Sequence, residues 1–357
     1  MQTHQIYSID QNDRRDESKR SYSPYEPEKK NNSIKGSTLI LFIIALILII
    51  ALIISIVLVF TIGLKAARRT VSFEENASIT SLYEPCKCGC PSIEPLFNDE
   101  RSSTSRIANG ENARKNSWPW QLLLIIVDKN QTPVSLCGAT LITDRHILTA
   151  AHCVHQSFPP FIFLFSGQHR LNSSLSLRSG HQVNNVYIHE GYNAFYHNDI
   201  AILTIQQPLR FDSIIHPICL ATPYSSHLQD NEELVAIGWG KISGQPNTTI
   251  FPSNLQQVKL AYIPTSHPNC SNLFQQSSPA HPGQMCIGKS NHHVCHGDSG
   301  GPLMRRTRIP FTETYYWQQI GIVSATVDCG WNSTWPDVFI NIPYYYDWIM
   351  TTIKRAI

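Results

Sequence analysis

The hydrophobic positions of this chain follow two different patterns. From Leu39 to Phe60 they are continuous, and the run LILFIIALILIIALIISIVLVF carries Ser55 as its one polar side chain. At about 1.5 Å rise per residue, a helix of that length crosses a hydrocarbon core of roughly 30 Å. A buried core helix would show a polar stripe. A signal peptide would have a shorter apolar run behind a short basic stub, not the mixed-charge segment 1–38. A single transmembrane helix over residues 39–64 is therefore expected, preceded by a disordered cytoplasmic tail over 1–38. From Ile107 onward the pattern changes to short apolar runs broken by Gly, Pro, Asn and Ser. They include QLLLIIV, FIFLFSG, QVNNVYIH, AILTI, LVAIGWG, QQIGIVS and DVFINI. Runs this short and frequent predict an all-β sandwich or barrel. Near the end, Tyr345, Trp348, Ile349, Thr352 and Ile353 recur at helical spacing and predict a closing amphipathic helix. Residues 65–106 read as a connector, with no internal repeat and no second globular module.

Charge adds an orientation. Lys19, Arg20, Lys29, Lys30 and Lys35 precede the apolar run, against Lys65, Arg68 and Arg69 after it, which places the N-terminus in the cytoplasm. All ten cysteines lie beyond the run, as do the sequons at Asn76, Asn172, Asn247 and Asn332. Both features suit an oxidising, glycosylating, extracellular compartment. A formal net charge of +2, with no basic stripe, gives no case for nucleic acid.

Three stretches carry candidate chemistry: LTAAHC with His152, HNDIAIL with Asp199, and GDSGGPL with Ser299. Serine acyl transfer needs a base for the hydroxyl proton, a carboxylate to hold that base, and donors for the oxyanion. Alone, each stretch has a bland reading as a structural His, a turn or a loop; together, in this order, they point to a triad. Gly297-Asp298-Ser299-Gly300-Gly301 also fits the nucleophile elbow of α/β-hydrolases. That fold needs its histidine after the serine, and none follows His296.

On these motifs residues 107–357 resemble the catalytic domain of trypsin/chymotrypsin-like serine proteases, in a type II transmembrane arrangement. The resemblance implies two antiparallel six-stranded β-barrels with a C-terminal helix and the active site in the cleft between them. It implies that His152 is the general base, that Asp199 orients it, and that Ser299 is the nucleophile. The N–H groups of Gly297 and Ser299 would form the oxyanion hole, and Ser324 would lie beside the triad. SRIANGENA matches an activation site: cleavage between Arg106 and Ile107 would free an ammonium group to pair with Asp298. Family pattern pairs Cys137 with Cys153, Cys270 with Cys286, Cys295 with Cys329, and Cys88 with Cys219. Cys86 and Cys90 are left to bond each other or another chain. Leu234 and Arg305 stand where one further family bridge would have its cysteines. The stretch Gly167–His189 lacks Asp and Glu, so no calcium loop is expected.

The specificity pocket departs from the family pattern. His293 stands at the floor position where trypsin-like members carry Asp, and Ala325-Thr326 replaces the usual Trp-Gly on the wall. Asp337 replaces a glycine and is expected to face His293, with His296 at the rim. Three readings remain open: an internal pair that fills the pocket and favours a small residue, an Asp337 available to Lys or Arg, and a protonated His293 that attracts an acidic residue. His292, His293 and His296 do not make the closed four-ligand set of a structural zinc site, so neither metal nor cofactor is expected. The expected partners are protein or peptide substrates and a separate activating protease. A non-catalytic protease-like binding or adhesion module is the rival class.

Overall fold

The computed structural model describes residues 40–41, 43–59, 87–98, 110–171, 175–193, 197–225, 227–242, 250–277, 281–289, 292–326, 329 and 335–356. The chain divides into two compact units, Met1–Ser78 and Ile79–Ile357. The tail 1–38, Cys86, the Arg106–Ile107 bond and all four sequon asparagines lie outside the described residues.

In the first unit, residues 43–59 form a helix (α1) whose side chains are all exposed. Among the described residues, no helix is long and apolar enough to cross a membrane. The span expected over residues 39–64 lies in part, at 39, 42 and 60–64, outside the described residues.

The second unit is built from strands β1 (Glu111–Asn112), β2 (Gln121–Val127), β3 (Pro133–Leu141), β4 (His146–Thr149), β5 (Ile162–Ser166), β6 (His181–Ile188), β7 (Ala201–Ile205) and β8 (Cys219–Leu220). They are followed by β9 (Glu233–Gly238), β10 (Gln256–Ile263), β11 (Gln284–Gly288), β12 (Pro302–Arg308), β13 (Tyr315–Ala325) and β14 (Asp337–Asn341). Strands β2-β3-β4-β7-β6-β5 close one antiparallel barrel. The order β10-β11-β14-β13-β12-β9 is closed by the β9–β10 pairing into a second, with β1 added on β10 and β8 on β13. All seven quoted apolar runs fall on strands. QLLLIIV is buried at every position of β2, which explains why it reads as a continuous run rather than an alternation.

Three helices complete the unit: α2 (Ala151–Val154), α3 (Pro268–Ser277) and α4 (Ile342–Arg355). Helix α4 has a proline in its first turn, where no intrahelical donor is lost. It buries Tyr345, Ile349 and Thr352, and Lys354 and Arg355 occupy its last turn, where cations suit the helix dipole. One apolar cluster fills the first barrel and reaches into the junction with the second, which also holds a separate cluster around Leu234, Leu260, Ile287 and Phe339. At their junction Trp118 packs edge-on against Trp120 and Trp317, and the Trp120 indole N–H points at the sulfur of Met304.

Part of the connector belongs to this unit. Cys88 is bonded to Cys219, Gly89 N–H donates to the Pro217 carbonyl, and Trp317 N–H donates to the Gly89 carbonyl. Further along, Gln257 donates to the Leu96 carbonyl, and Asn98 N–H donates to Glu111 at 2.9 Å. Among the described residues, three further bridges join Cys137 to Cys153, Cys270 to Cys286 and Cys295 to Cys329.

Leu234 and Arg305 occupy adjacent strands, one step beyond the Met304–Val235 pair. Leu234 is fully buried, while the Arg305 guanidinium donates to the Ser225 carbonyl and to Gln318 and lies 3.7 Å from Glu232. A hydrogen-bonded arginine therefore ties β12 to the chain at residues 225–232. Arg305→Ala is expected to lower the unfolding free energy by about 1–3 kcal/mol, read as a lower urea midpoint with an unchanged slope. An unchanged midpoint would mean that the network contributes nothing.

Candidate active site

His152 lies in the single turn of α2 that follows β4, and Asp199 immediately precedes β7, the strand paired with β4. The pairing of these strands brings the two residues together from positions far apart in sequence. Asp199 is completely buried and accepts three hydrogen bonds. Its Oδ1 takes the His152 backbone N–H at 2.8 Å, and its Oδ2 takes His152 Nδ1 at 2.7 Å and the Ser324 hydroxyl at 2.6 Å. A carboxylate only accepts, so Nδ1 carries the ring hydrogen and Nε2 keeps its lone pair. The histidine ring retains 21% exposure, enough for Nε2 to meet a substrate.

Asn198 and Tyr345, which sequence reasoning did not connect with the site, hold this carboxylate's backbone. Asn198 adopts a left-handed φ of 54°, donates from its amide to the Gly191 carbonyl at 2.8 Å, and accepts the Tyr345 hydroxyl at 2.9 Å. Asparagine tolerates that conformation better than most residues. The Asn-Asp dipeptide was thus a legible turn signal, whereas its tie to helix α4 was not. Burial raises the Tyr345 hydroxyl pKa, which keeps the group a donor.

Ser299 sits on the loop Gly297–Gly301, laid directly on the first barrel. Gly138 N–H donates to the Ser299 carbonyl at 2.8 Å, and the Thr149 hydroxyl donates to the Gly138 carbonyl at 2.9 Å. Gly300 has φ +80°, and a Cβ there would stand 2.2 Å from Thr149 Oγ1 and 2.4 Å from the Gly138 carbonyl. Only glycine fits. The sulfur of Cys153 is 3.8 Å from His152 Nε2 and 3.7 Å from the Ser299 carbonyl oxygen, so the candidate base and the candidate nucleophile's residue flank one atom. Asp298, Gly300 and Gly301 donate their N–H groups within the protein. Among the described residues, the N–H groups of Gly297 and Ser299 have no acceptor. These two are the donors expected to meet an oxyanion.

Two buried carboxylates are held by one segment. Asp298 accepts Gly240 N–H at 2.7 Å and Cys295 N–H at 2.9 Å, in a cradle where a Cβ on Gly238 or Gly240 would stand 2.1 or 2.3 Å away. Burial, reinforced by the nearby Asp337, pushes the Asp298 pKa up to about 6 against the two backbone donors. Asp337 accepts Val294 N–H at 3.0 Å and the Thr326 hydroxyl at 2.7 Å, and its Oδ2 lies 3.5 Å from His293 Nδ1. Burial raises its pKa, opposed by His293, Thr326 and Val294. His293 and Asp337 are 2% and 1% exposed and face each other, Ala325 and Thr326 are half-buried, and His296 is exposed. His292 is engaged elsewhere, its N–H donating to the Lys289 carbonyl. Cys137, His152 and Cys153 bring potential ligand atoms within 4.8 Å of one another, but both sulfurs are consumed in a disulfide and offer no thiolate.

Two expectations follow. Removing the Tyr345 hydroxyl (Tyr345→Phe) leaves Asn198 Oδ1 without its donor and is expected to lower kcat severalfold at constant KM; a change confined to KM would contradict a positioning role. For Asp298 in the uncleaved chain, the folded pKa exceeds the unfolded value. The charge therefore costs stability above about pH 6, and the cost disappears as pH falls to about 4. Relative to Asp298→Asn, the uncleaved protein should gain about 3 kcal/mol of unfolding free energy between pH 7 and pH 4. A pH-independent difference would contradict the assignment.

Comparison with known proteins agrees with this geometry. The sequence profile of the family described as Trypsin matches residues 107–349. Chymotrypsin-C of Rattus norvegicus is 33% identical over 272 residues, covering 75% of this chain and 94% of that protein. Transmembrane protease serine 11G of Mus musculus is 32% identical over 248 residues, 69% of this chain and 55% of that protein. Transmembrane protease serine 11C of the same species is 32% identical over 247 residues, 68% and 53%. The chain thus spans about half the length of these transmembrane relatives. With its two closed barrels and a family match over most of its length, the chain belongs to the trypsin/chymotrypsin-like serine proteases.

Proposed function

We propose that this protein is the membrane-anchored zymogen of a serine endopeptidase, with its protease domain, residues 107–357, extracellular and activated by cleavage between Arg106 and Ile107. The observation that carries the reading is the fully buried Asp199 carboxylate, which fixes His152 through both its backbone N–H and Nδ1 beside the Ser299 loop. His152 Nε2 would accept the Ser299 hydroxyl proton as Oγ attacks the scissile carbonyl, and the N–H groups of Gly297 and Ser299 would stabilise the oxyanion. His152 would then return the proton to the leaving amine, and water would release the acyl group by the same sequence in reverse. The anchor is supported by the apolar run Leu39–Phe60 with its basic N-terminal flank, and by relatives named as transmembrane proteases. The zymogen step is supported by Asp298, a buried carboxylate that a new ammonium group would stabilise.

The pocket reading is a filled floor that favours a small uncharged residue before the scissile bond. Both Asp337 oxygens already accept hydrogen bonds, which leaves little for a substrate Lys or Arg. A protonated His293 would be neutralised by Asp337 at 3.5 Å and would not recruit an acidic residue. An enzyme with this pocket does not cut after Arg106 itself, so another protease must activate it.

A fluorophosphonate probe should label the cleaved wild-type chain and not Ser299→Ala. Asp199→Asn should lower kcat by about 10⁴, as in the family's reference triad. Failure of the wild type to label would favour the non-catalytic binding module. Purified zymogen incubated alone should keep its Arg106–Ile107 bond, and concentration-dependent cleavage there would overturn the pocket reading.

A further inference from the structure

Three histidines outside the catalytic constellation meet where the two barrels and helix α4 come together. His189 and His197 stand in the connection between β6 and β7, and His281 precedes β11. The His197 and His281 rings are stacked with centroids 5.3 Å apart, and His281 packs edge-on against Tyr344. His189 packs edge-on against Tyr345 at 5.3 Å and lies 5.1 Å from the Trp348 ring. All three histidines are half-buried.

Two of them are held in the same way. Gly191 N–H donates to His189 Nδ1 at 3.1 Å, and Gly283 N–H donates to His281 Nδ1 at 3.0 Å. Both glycines lie directly against the pair that holds the Asp199 backbone. A Cβ on Gly191 would stand 2.9 Å from Asn198 Nδ2, and one on Gly283 would fall on the Tyr345 hydroxyl. The Gly191 carbonyl also accepts the Asn198 amide, and Asn198 accepts the Tyr345 hydroxyl. An unbroken row of contacts therefore joins the two histidines, with Asp199 next to its middle.

These bonds require neutral rings. A backbone N–H only donates, so each Nδ1 must offer a lone pair, which puts the single ring hydrogen on Nε2. A second proton has only Nδ1 to occupy, and there it would point at the glycine N–H. Each glycine is backed by Asn198 or Tyr345, so it cannot withdraw without displacing one of them. Burial lowers the pKa of both rings from the usual 6.5, opposed at His189 by Glu190 and reinforced at His281 by His197 and His189. The other groups facing the cluster are Arg355 beside Glu190, whose carboxylate accepts the Trp348 indole N–H, Tyr344 and Tyr345 on α4, and the buried Asp199 near Tyr345.

We infer that His189 and His281 are positioning residues of the proposed triad, which keep Asn198 and Tyr345 on the Asp199 backbone only while their rings are neutral, so that a proton on either one switches hydrolysis off. This rests on the peptidase reading above. His152 must itself be neutral to act as base, so the two rings add protons to an acid limb that already has one.

The test uses the full chain cleaved at Arg106–Ile107 and follows kcat for the nitrophenyl ester of an N-blocked alanine as pH falls from 8. Protonation of His152 alone gives a limb of about one decade in kcat per pH unit, whereas the wild type should steepen to about two decades or more and recover on return to pH 8. His189→Asn and His281→Asn place an amide oxygen where Nδ1 stood, an acceptor that takes no proton. Scaled to its own value at pH 8, each variant should fall less steeply than the wild type. A merely structural histidine would lower kcat at every pH and leave the slope unchanged. A wild-type limb of one decade throughout, or a steep limb kept in both variants, would overturn the inference while turnover at pH 8 still supported the peptidase. Steepening that coincides with loss of the native tryptophan fluorescence would also overturn it, because the whole domain would then be unfolding. Absence of turnover by the wild type at pH 8 would instead overturn the peptidase reading, and the inference with it.

Discussion

The site depends on one carboxylate without access to water. Asp199 would be costly to bury as a charge unless its lone pairs were satisfied, and its donors come from both barrels: His152 from the first, Ser324 from the second. The same interaction therefore sets the histidine tautomer and joins the two halves of the fold. The direct backbone contact of Ser299 with Gly138 adds the proposed nucleophile to that frame, and at that contact Gly138 and Gly301 place no side chain between the two backbones.

The second constraint is electrostatic. Segment 293–298 uses neighbouring N–H groups to hold two buried carboxylates, Asp337 through Val294 and Asp298 through Cys295. Asp337 adds to the cost of charging Asp298, since it is among the causes of the elevated Asp298 pKa. His293 faces Asp337, and in the proposed activation the ammonium of Ile107 would face Asp298. In the proposed reading, specificity and activation would share one strip of backbone, so a change at His293 should be felt at Asp298.

Much of this was legible in sequence because the signals were local. The apolar runs of β2, β5, β6, β7, β9, β13 and β14 announced an all-β sandwich or barrel, the family resemblance chose the barrels, and helical spacing announced α4. The motif residues that the fold gathers around Asp199 stood in three short stretches. Strands such as PLMRRTR in β12 gave no clean pattern, because Arg305, Arg306 and Arg308 on its outer half mask the buried inner half. The tie from Tyr345 to Asn198 was illegible. It joins residues 147 positions apart, and nothing in local composition encodes such a contact. The opposition of His293 and Asp337 came from the family resemblance, and the structure adds what decides its chemistry: the Thr326 and Val294 donors that occupy Asp337.

The most direct test of the account is to digest a defined peptide library with the cleaved full chain and sequence every product end. The account predicts cuts after small uncharged residues that vanish in Ser299→Ala. Cuts after Arg or Lys, or a pattern that survives Ser299→Ala, would contradict it.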